Sequence, residues 1–368
     1  MIYLDSGATS FPKPPGVIRA METALRTCAN PGRGGYPAAE AASRTVFHCR
    51  EQAAKLFDCR PEQVVLTGSC THGLNIAIRT LVKPGAKVAV SGFEHNAVTR
   101  PLHALDAQLR VCGRKLFDPA DTLADFRRAL RAGVDAAVFT HVSNAFGYIL
   151  PVKEMAALCR SFGVPFIVDA AQSAGTLPVE LAGWGADFIA MPGHKGLLGP
   201  QGTGLLLCAG EAKPLLYGGT GSQSLIQTMP EDLPERLEPG TINVPGAAGL
   251  LAGMQAAERI GMEKTAAREA ELAKKCAEEL RKLGMEVFSG DYQGGTVSFR
   301  AGCGCEEAAG WLAERGFALR AGLHCAPLAH ESAGTLQTGT VRVSFGWNST
   351  AGELNAFLRA AKSLLPAQ

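Results

Sequence analysis

The chain has 368 residues, of which 46% are hydrophobic and 19% charged, with a formal net charge of +2. That profile belongs to a folded protein with room for one large core and a smaller companion domain, and it excludes a disordered chain. The balanced charge, without a basic cluster, argues against a dedicated nucleic-acid binder. No apolar run is long enough to span a bilayer, so no membrane partner is expected.

The first ten residues, MIYLDSGATS, have neither a basic stretch nor an apolar run of the secretory kind, which leads to the expectation of a cytoplasmic protein. The 11 cysteines are odd in number, scattered and without a CxxC pair. A disulfide framework is therefore not expected, and most of the thiols read as small buried hydrophobes. Cys303-Gly304-Cys305 lacks a second pair at zinc-site spacing, so no metal is expected there and the pair is read as loop chemistry without function.

From about residue 60 to 210, short apolar runs alternate with helical stretches. The runs are Val64–Thr67, Val88–Val90, Ala136–Phe139, Phe166–Asp169, Phe188–Met191 and Gly204–Leu207. Runs apolar on both faces and separated by helices indicate a mainly parallel sheet covered by helices, an α/β fold. Several end in polar residues, namely Thr67, Ser91, His141, Asp169 and the Gly193-His194-Lys195 that follows Met191. The carboxyl ends of strands are where open α/β sheets bind ligands.

Residues 210–247, rich in Gly, Pro and Thr, read as a long functional loop. A helix is expected from about Gly246 to Ile260 and a charged amphipathic one from about Lys264 to Leu283. Strands near Val287–Phe288, Thr296–Arg300 and Val341–Phe345, with helices near 305–315 and 351–364, complete an α+β unit. The expected division is a large α/β domain over 15–245 and a small α+β domain made of 1–14 and 246–368.

An Asp closing an apolar strand, as Asp169 does, needs a positive partner or serves as a helix cap. Lys195, at the end of the next apolar run, would be partly desolvated and so a competent imine-forming amine. An Asp to keep a pyridine nitrogen protonated and a Lys to form the imine are the minimum apparatus of a pyridoxal 5'-phosphate site. The turn Thr67–Gly73 follows a strand and opens a helix near Leu74, so Ser69, Cys70, Thr71 and His72 are candidates for a phosphate cup. On its own the turn reads as a glycine turn with a serine cap. Neither GxxxxGK nor a strand-following GxGxxG occurs, which takes the main support from a nucleotide or nicotinamide enzyme.

Tyr3–Thr9, Thr71–Asn75, Glu94–Ala97, His141–Asn144, Asp169–Ser173, Gly193–Lys195, Gly240-Thr241 and Arg320–Cys325 occur in one order along the chain. In these segments the sequence resembles the class V aminotransferase superfamily of fold-type I pyridoxal-phosphate enzymes, and within it the group II cysteine desulfurases and selenocysteine lyases. The resemblance implies the fold-type I architecture, with a mainly parallel seven-stranded sheet. It implies that Lys195 holds the cofactor as a Schiff base and shuttles the Cα proton, Asp169 pairs with the ring nitrogen and Gln172 with the phenolic oxygen. His95 would stack on the ring and assist proton transfer; otherwise it is a satisfied histidine at a helix start. Thr71, His72 and His194 would hold the phosphate with Thr241 of a second subunit, which implies a homodimer. Arg342 would bind the substrate carboxylate with Arg320 as a helper, and Asn144 would serve that carboxylate or the ring oxygen.

Cys325 sits in the position of the persulfide-forming nucleophile, with adjacent His324 and nearby Arg320 expected to favour its thiolate. The implied activity is conversion of L-cysteine to L-alanine with sulfur passing to Cys325 and then to an acceptor protein. Selenocysteine cleavage, or another C–S lyase or epimerase reaction of the superfamily, is the alternative; a non-catalytic relative is disfavoured because Lys195, Asp169, Gln172 and His95 are all present. One departure stands out. Pro192 occupies the position, three before the lysine, where desulfurases usually place a hydroxyl residue of the phosphate cup, so retention would lean on Ser69, Thr71 and His72.

Overall fold

The structure, a computed structural model, describes residues 1–32 and 34–364. After a short strand β1 (Ile2–Tyr3), helices α1 (Pro15–Thr27) and α2 (Pro37–Leu56) lead into the main layer. There the chain alternates β2 (Val64–Thr67), α3 (Cys70–Leu81), β3 (Lys87–Ser91), α4 (Asn96–His103), β4 (Gln108–Cys112), α5 (Pro119–Arg131) and β5 (Ala136–Thr140). It continues with α6 (Val152–Phe162), β6 (Phe166–Asp169), the short α7 (Leu181–Trp184), β7 (Phe188–Pro192) and β8 (Gly204–Cys208).

These strands form one seven-stranded sheet in the order β2-β8-β7-β6-β5-β3-β4. Only β8 runs against its neighbours, β2 and β7; β4, β3, β5, β6 and β7 pair in parallel. The sheet is apolar on both faces because helices cover both, and β5, β6, β7 and β8 are buried along their whole length. β4, which the apolar-run pattern missed, is the edge strand, and its residues alternate between exposed and half-buried before Cys112.

Past the loop that follows β8, helix α8 (Val244–Ile260) leads into α9 (Met262–Lys282). Strands β9 (Glu286–Phe288) and β10 (Thr296–Arg300) precede α10 (Cys305–Glu314), then β11 (Phe317–Ala318), β12 (Arg320–Gly322), α11 (Pro327–Ser332), β13 (Thr340–Ser344) and α12 (Ala351–Lys362). The second sheet is antiparallel, in the order β12-β13-β10-β9, and β1 pairs in parallel with β11. Its core, around Leu272, Phe299, Leu312, Val343 and Phe357, is separate from that of the large sheet. Helix α8, by contrast, gives Val244, Ala247, Leu250 and Met254 to the large core. We therefore propose drawing the division between the two units at Gly261 rather than at 245. Among the described residues no helix is long and apolar enough to cross a membrane.

Two close backbone approaches determine where the functional loops lie. Gly73 lets the first turn of α3 rest on the sheet, since a Cβ there would meet the Cβ atoms of Ala190 and Leu206 at 3.3 Å. The turn after β6 touches the turn after β7 at Gly175, whose φ is +91° and whose Cβ would lie 2.3 Å from the carbonyl of Gly196. This contact brings the loop carrying Asp169 against the loop carrying Lys195. A Gly175→Ala substitution combines positive-φ strain with overpacking and should cost about 2–4 kcal/mol, read as a lower urea midpoint. Gly302→Ala, where nothing lies within 4 Å of the added carbon, should leave the midpoint nearly unchanged.

Candidate active site

The carboxyl ends of β5, β6 and β7, the start of α3 and α4, and the loop after β12 enclose a cavity of about 230 Å³. Ser69, Cys70, Thr71, His95, Asn144, Asp169, Gln172, His194, Lys195, Arg320, Cys325 and Arg342 all line it, as does Pro192. His72 and Thr241 do not. Both face a neighbouring cavity of about 210 Å³ beside Thr67 and Gly68, and Thr241 is exposed.

Asp169 closes β6 and is 2% exposed. One carboxylate oxygen accepts from the Ala171 amide at 2.9 Å and from the Cys70 thiol at 3.4 Å. No ion pair with a described residue neutralises it, so the cavity is where a positive partner belongs. Lys195 borders the same space. Its burial lowers its pKa below the ordinary lysine value, while the Asp169 charge pulls the other way. The peptide just before Lys195 is clamped by the N-terminal segment. The His194 carbonyl accepts from the Ser10 amide (3.0 Å), the Thr9 and Ser10 hydroxyls (3.0 and 3.1 Å) and the Lys13 ammonium (2.8 Å). Burial pushes the Lys13 pKa down to about 8.

Ser69 caps α3, its hydroxyl oxygen accepting from the His72 amide at 3.1 Å, and the first N–H groups of that helix have no intrahelical acceptor. An anion is favoured at such a helix start. His95 caps α4 in the same way, its Nδ1 accepting from the Ala97 amide at 2.9 Å, and burial holds the ring on the neutral side of its usual pKa. Cap and functional candidate are thus one residue. Beneath it, the fully buried Glu94 accepts from the Thr140 amide through both oxygens (2.9 and 3.1 Å) and from Ser91. Burial pushes the Glu94 pKa up to about 8.

Arg342 is 1% exposed and already partly engaged. Nη2 donates to Asp5 at 2.6 Å and Nη1 to the Asn144 carbonyl at 2.9 Å, which leaves Nε buried and without a partner. Asn144 donates to the His324 carbonyl at 2.7 Å, and its Oδ1 is likewise unpartnered. Gln172 donates to the Gly7 carbonyl at 2.9 Å. Asp5, Glu94 and Lys13 escaped notice as individual residues; their only signal was their place in or next to polar segments near the N-terminus and at a strand end.

Cys325 is exposed, on the loop between β12 and α11. His324 and Cys325 have φ values of 50° and 56°, a left-handed pair of non-glycine residues. Each costs of order 1–3 kcal/mol and persists only where neighbours hold it, here the Asn96 amide donating to the Cys325 carbonyl at 2.8 Å. The expectation that His324 favours the thiolate is corrected. Its ring is buried beside Thr340, away from solvent, and burial with the nearby Arg342 charge pushes its pKa down to about 2, so it carries no positive charge to offer.

The residues fit pyridoxal 5'-phosphate. A buried unpaired carboxylate, a low-pKa lysine, a helix start and two orphaned polar atoms, Asn144 Oδ1 and Arg342 Nε, face or flank one cavity. The family model described as aminotransferase class-V matches residues 2–357. A probable cysteine desulfurase of Methanothermobacter thermautotrophicus is 32% identical, over 96% of this chain and 92% of the relative. One from Pyrococcus abyssi is 33% identical, over 99% and 94%. The apo structure of a cysteine desulfurase from Thermococcus onnurineus superimposes with a TM-score of 0.91 at 31% identity, covering 99% of this chain and 94% of that one.

Because Glu94 binds a proton up to about pH 8 when folded and only to about pH 4.3 when unfolded, it makes the fold less stable as pH rises between those values. A Glu94→Gln variant should therefore gain on the parent by at most about 1.4 kcal/mol per pH unit between pH 5 and 8, and no further above that. Urea unfolding at a series of pH values reads this directly.

Proposed function

The chain belongs to the class-V aminotransferase family and is a cysteine desulfurase, and we propose how its residues divide the work of moving sulfur from L-cysteine to Cys325. The observation that carries the proposal is the shared cavity, which brings Asp169, Lys195, Arg342 and Cys325 together from four separate stretches of chain. Pyridoxal 5'-phosphate, when bound, supplies the electron sink that lets a proton leave the amino-acid α-carbon.

Asp169 holds the cofactor's ring nitrogen in its protonated form, and Gln172 is within the same cavity for the ring oxygen. Ser69, Thr71 and the helix start they belong to hold the phosphate, with His194 from the clamped turn. His72 serves it from the adjoining cavity, and the exposed Thr241 serves the phosphate of the second subunit in a homodimer. Lys195, whose pKa is lowered by burial, takes the α-proton and returns it. Arg342 and Asn144 orient the substrate carboxylate through the donors left over from Asp5 and the backbone, and Arg320 lines the same wall.

The Cys325 thiolate attacks the substrate sulfur. An S–S bond forms as the C–S bond breaks, the enzyme keeps Cys–S–SH, and the thiol proton of Cys325 ends on alanine. The loop's exposure then leaves the persulfide open to an acceptor protein. Asp5 acts through Arg342 and is a positioning residue.

A Cys325→Ala variant should lose alanine formation from L-cysteine by at least about a thousandfold while binding the cofactor normally. Alanine formed at the parental rate would overturn the assignment of Cys325. L-selenocysteine cleavage is expected to fall less in the same variant; equal losses with both substrates would mean that the two share one dependence on the thiol. An Asp5→Asn variant should raise KM for L-cysteine about tenfold or more with a smaller change in kcat, since it loosens the carboxylate-binding arginine and leaves Lys195 and Cys325 in place.

A further inference from the structure

A second cavity, of about 120 Å³, lies on the other side of Lys195 and Gln172, which line both spaces. It opens between the turn after β6, helix α9 and the segments preceding β10 and following β13. Glu269 of α9 lines it, lying so close over Gly295 that a Cβ on that glycine would meet its Oε2 at 2.9 Å. Glu269 makes no hydrogen bond or ion pair with a described residue, and burial alone accounts for the rise of its pKa to about 8. Glu269 is half-buried, so its carboxyl group meets the cavity rather than the packed interior, and an unpartnered acid with a raised pKa on a cavity wall marks a candidate binding group.

The chemistry of the walls narrows the ligand. Glu269 is the one acidic residue on the lining and Lys195 the one basic residue. No arginine faces this cavity, so the fork of donors that suits the carboxylate of an amino acid is missing here. A single carboxylate is too small a donor set for a divalent metal, and no cluster of three metal-binding side chains occurs among the described residues. The remaining walls are the aromatic residues Phe345 and Trp347, aliphatic side chains and a few hydroxyls and amides. A cavity that combines one carboxylate with aromatic side chains in its walls suits an organic cation.

We infer that this cavity is a second ligand site, which takes a small organic ammonium ion with Glu269 as its counter-ion. The site is separate from the desulfurase reading and stands without it. Since Lys195 and Gln172 form the common wall, a cation bound there is coupled to the catalytic lysine, and the coupling is reciprocal. Below pH 8 the ligand must displace the Glu269 proton, so its affinity should fall about tenfold for each pH unit below that value.

The test is a titration of the holoenzyme with tetramethylammonium chloride against sodium chloride at equal ionic strength, followed by tryptophan fluorescence and thermal midpoint. A quaternary ammonium forms no imine, so the response cannot come from chemistry at Lys195. The expected result is a saturable response at pH 9 that weakens about tenfold by pH 7, is lost in Glu269→Gln, and is lost in Ala266→Leu, which adds bulk to the cavity wall and keeps the carboxyl group. No saturable response at pH 9, or an undiminished one in Glu269→Gln, would overturn the inference.

Discussion

The structure turns on one electrostatic relation: a buried carboxylate at the end of β6 and a buried amine just past the end of β7, in neighbouring parallel strands. Burial works against the charge on Lys195 and the Asp169 charge works for it, so neither group is at rest without the other or a ligand between them. Such a pair is poor evidence for stability, since apolar residues would pack more favourably. The surrounding protein is arranged to hold it: four donors on the His194 carbonyl, the Gly175–Gly196 contact, and a sheet buried on both faces. A rigid layer of this kind suits a site whose groups must be kept in unfavourable states until a ligand arrives.

The second unit contributes what the sheet cannot. Arg342 comes from β13 and Cys325 from the loop after β12, both in the antiparallel sheet, and both face the cavity built on the large one. The Asp5–Arg342 pair ties the N-terminal segment to β13, and the same segment clamps the turn before Lys195. The first 13 residues thereby connect substrate recognition with the catalytic lysine. Cys325, held in a left-handed conformation on an exposed loop, is the solvent-facing end of this arrangement, as a sulfur carrier requires.

Much of this was legible in the sequence, because its chemistry sits at strand ends. Phe166–Asp169 and Phe188–Met191 announce both the strand and the residue that matters after it, and six of the seven strands of the main sheet show as apolar runs. Gln108–Cys112 did not, since an edge strand needs only one buried face and its Gln108 and Arg110 point outward. The helix expected from Gly246 starts at Val244 behind an Asn243 cap and packs with the large core, which a run of alanines and glycines does not disclose. The site's long-range bonds were equally hidden. Asp5 and Arg342 are 337 residues apart, and nothing in either segment points to the other. Neighbourhood in sequence also misled at His324: next to Cys325 along the chain, its ring turns into the interior and loses the charge expected of it.

The most direct test of the central claim is reduction of the cofactor-loaded protein with borohydride, followed by peptide mass spectrometry. The account predicts one pyridoxyl group per chain, on Lys195 alone. A label on Lys13 or another lysine, or no label at full cofactor occupancy, would contradict the placement of the reacting amine at the end of β7.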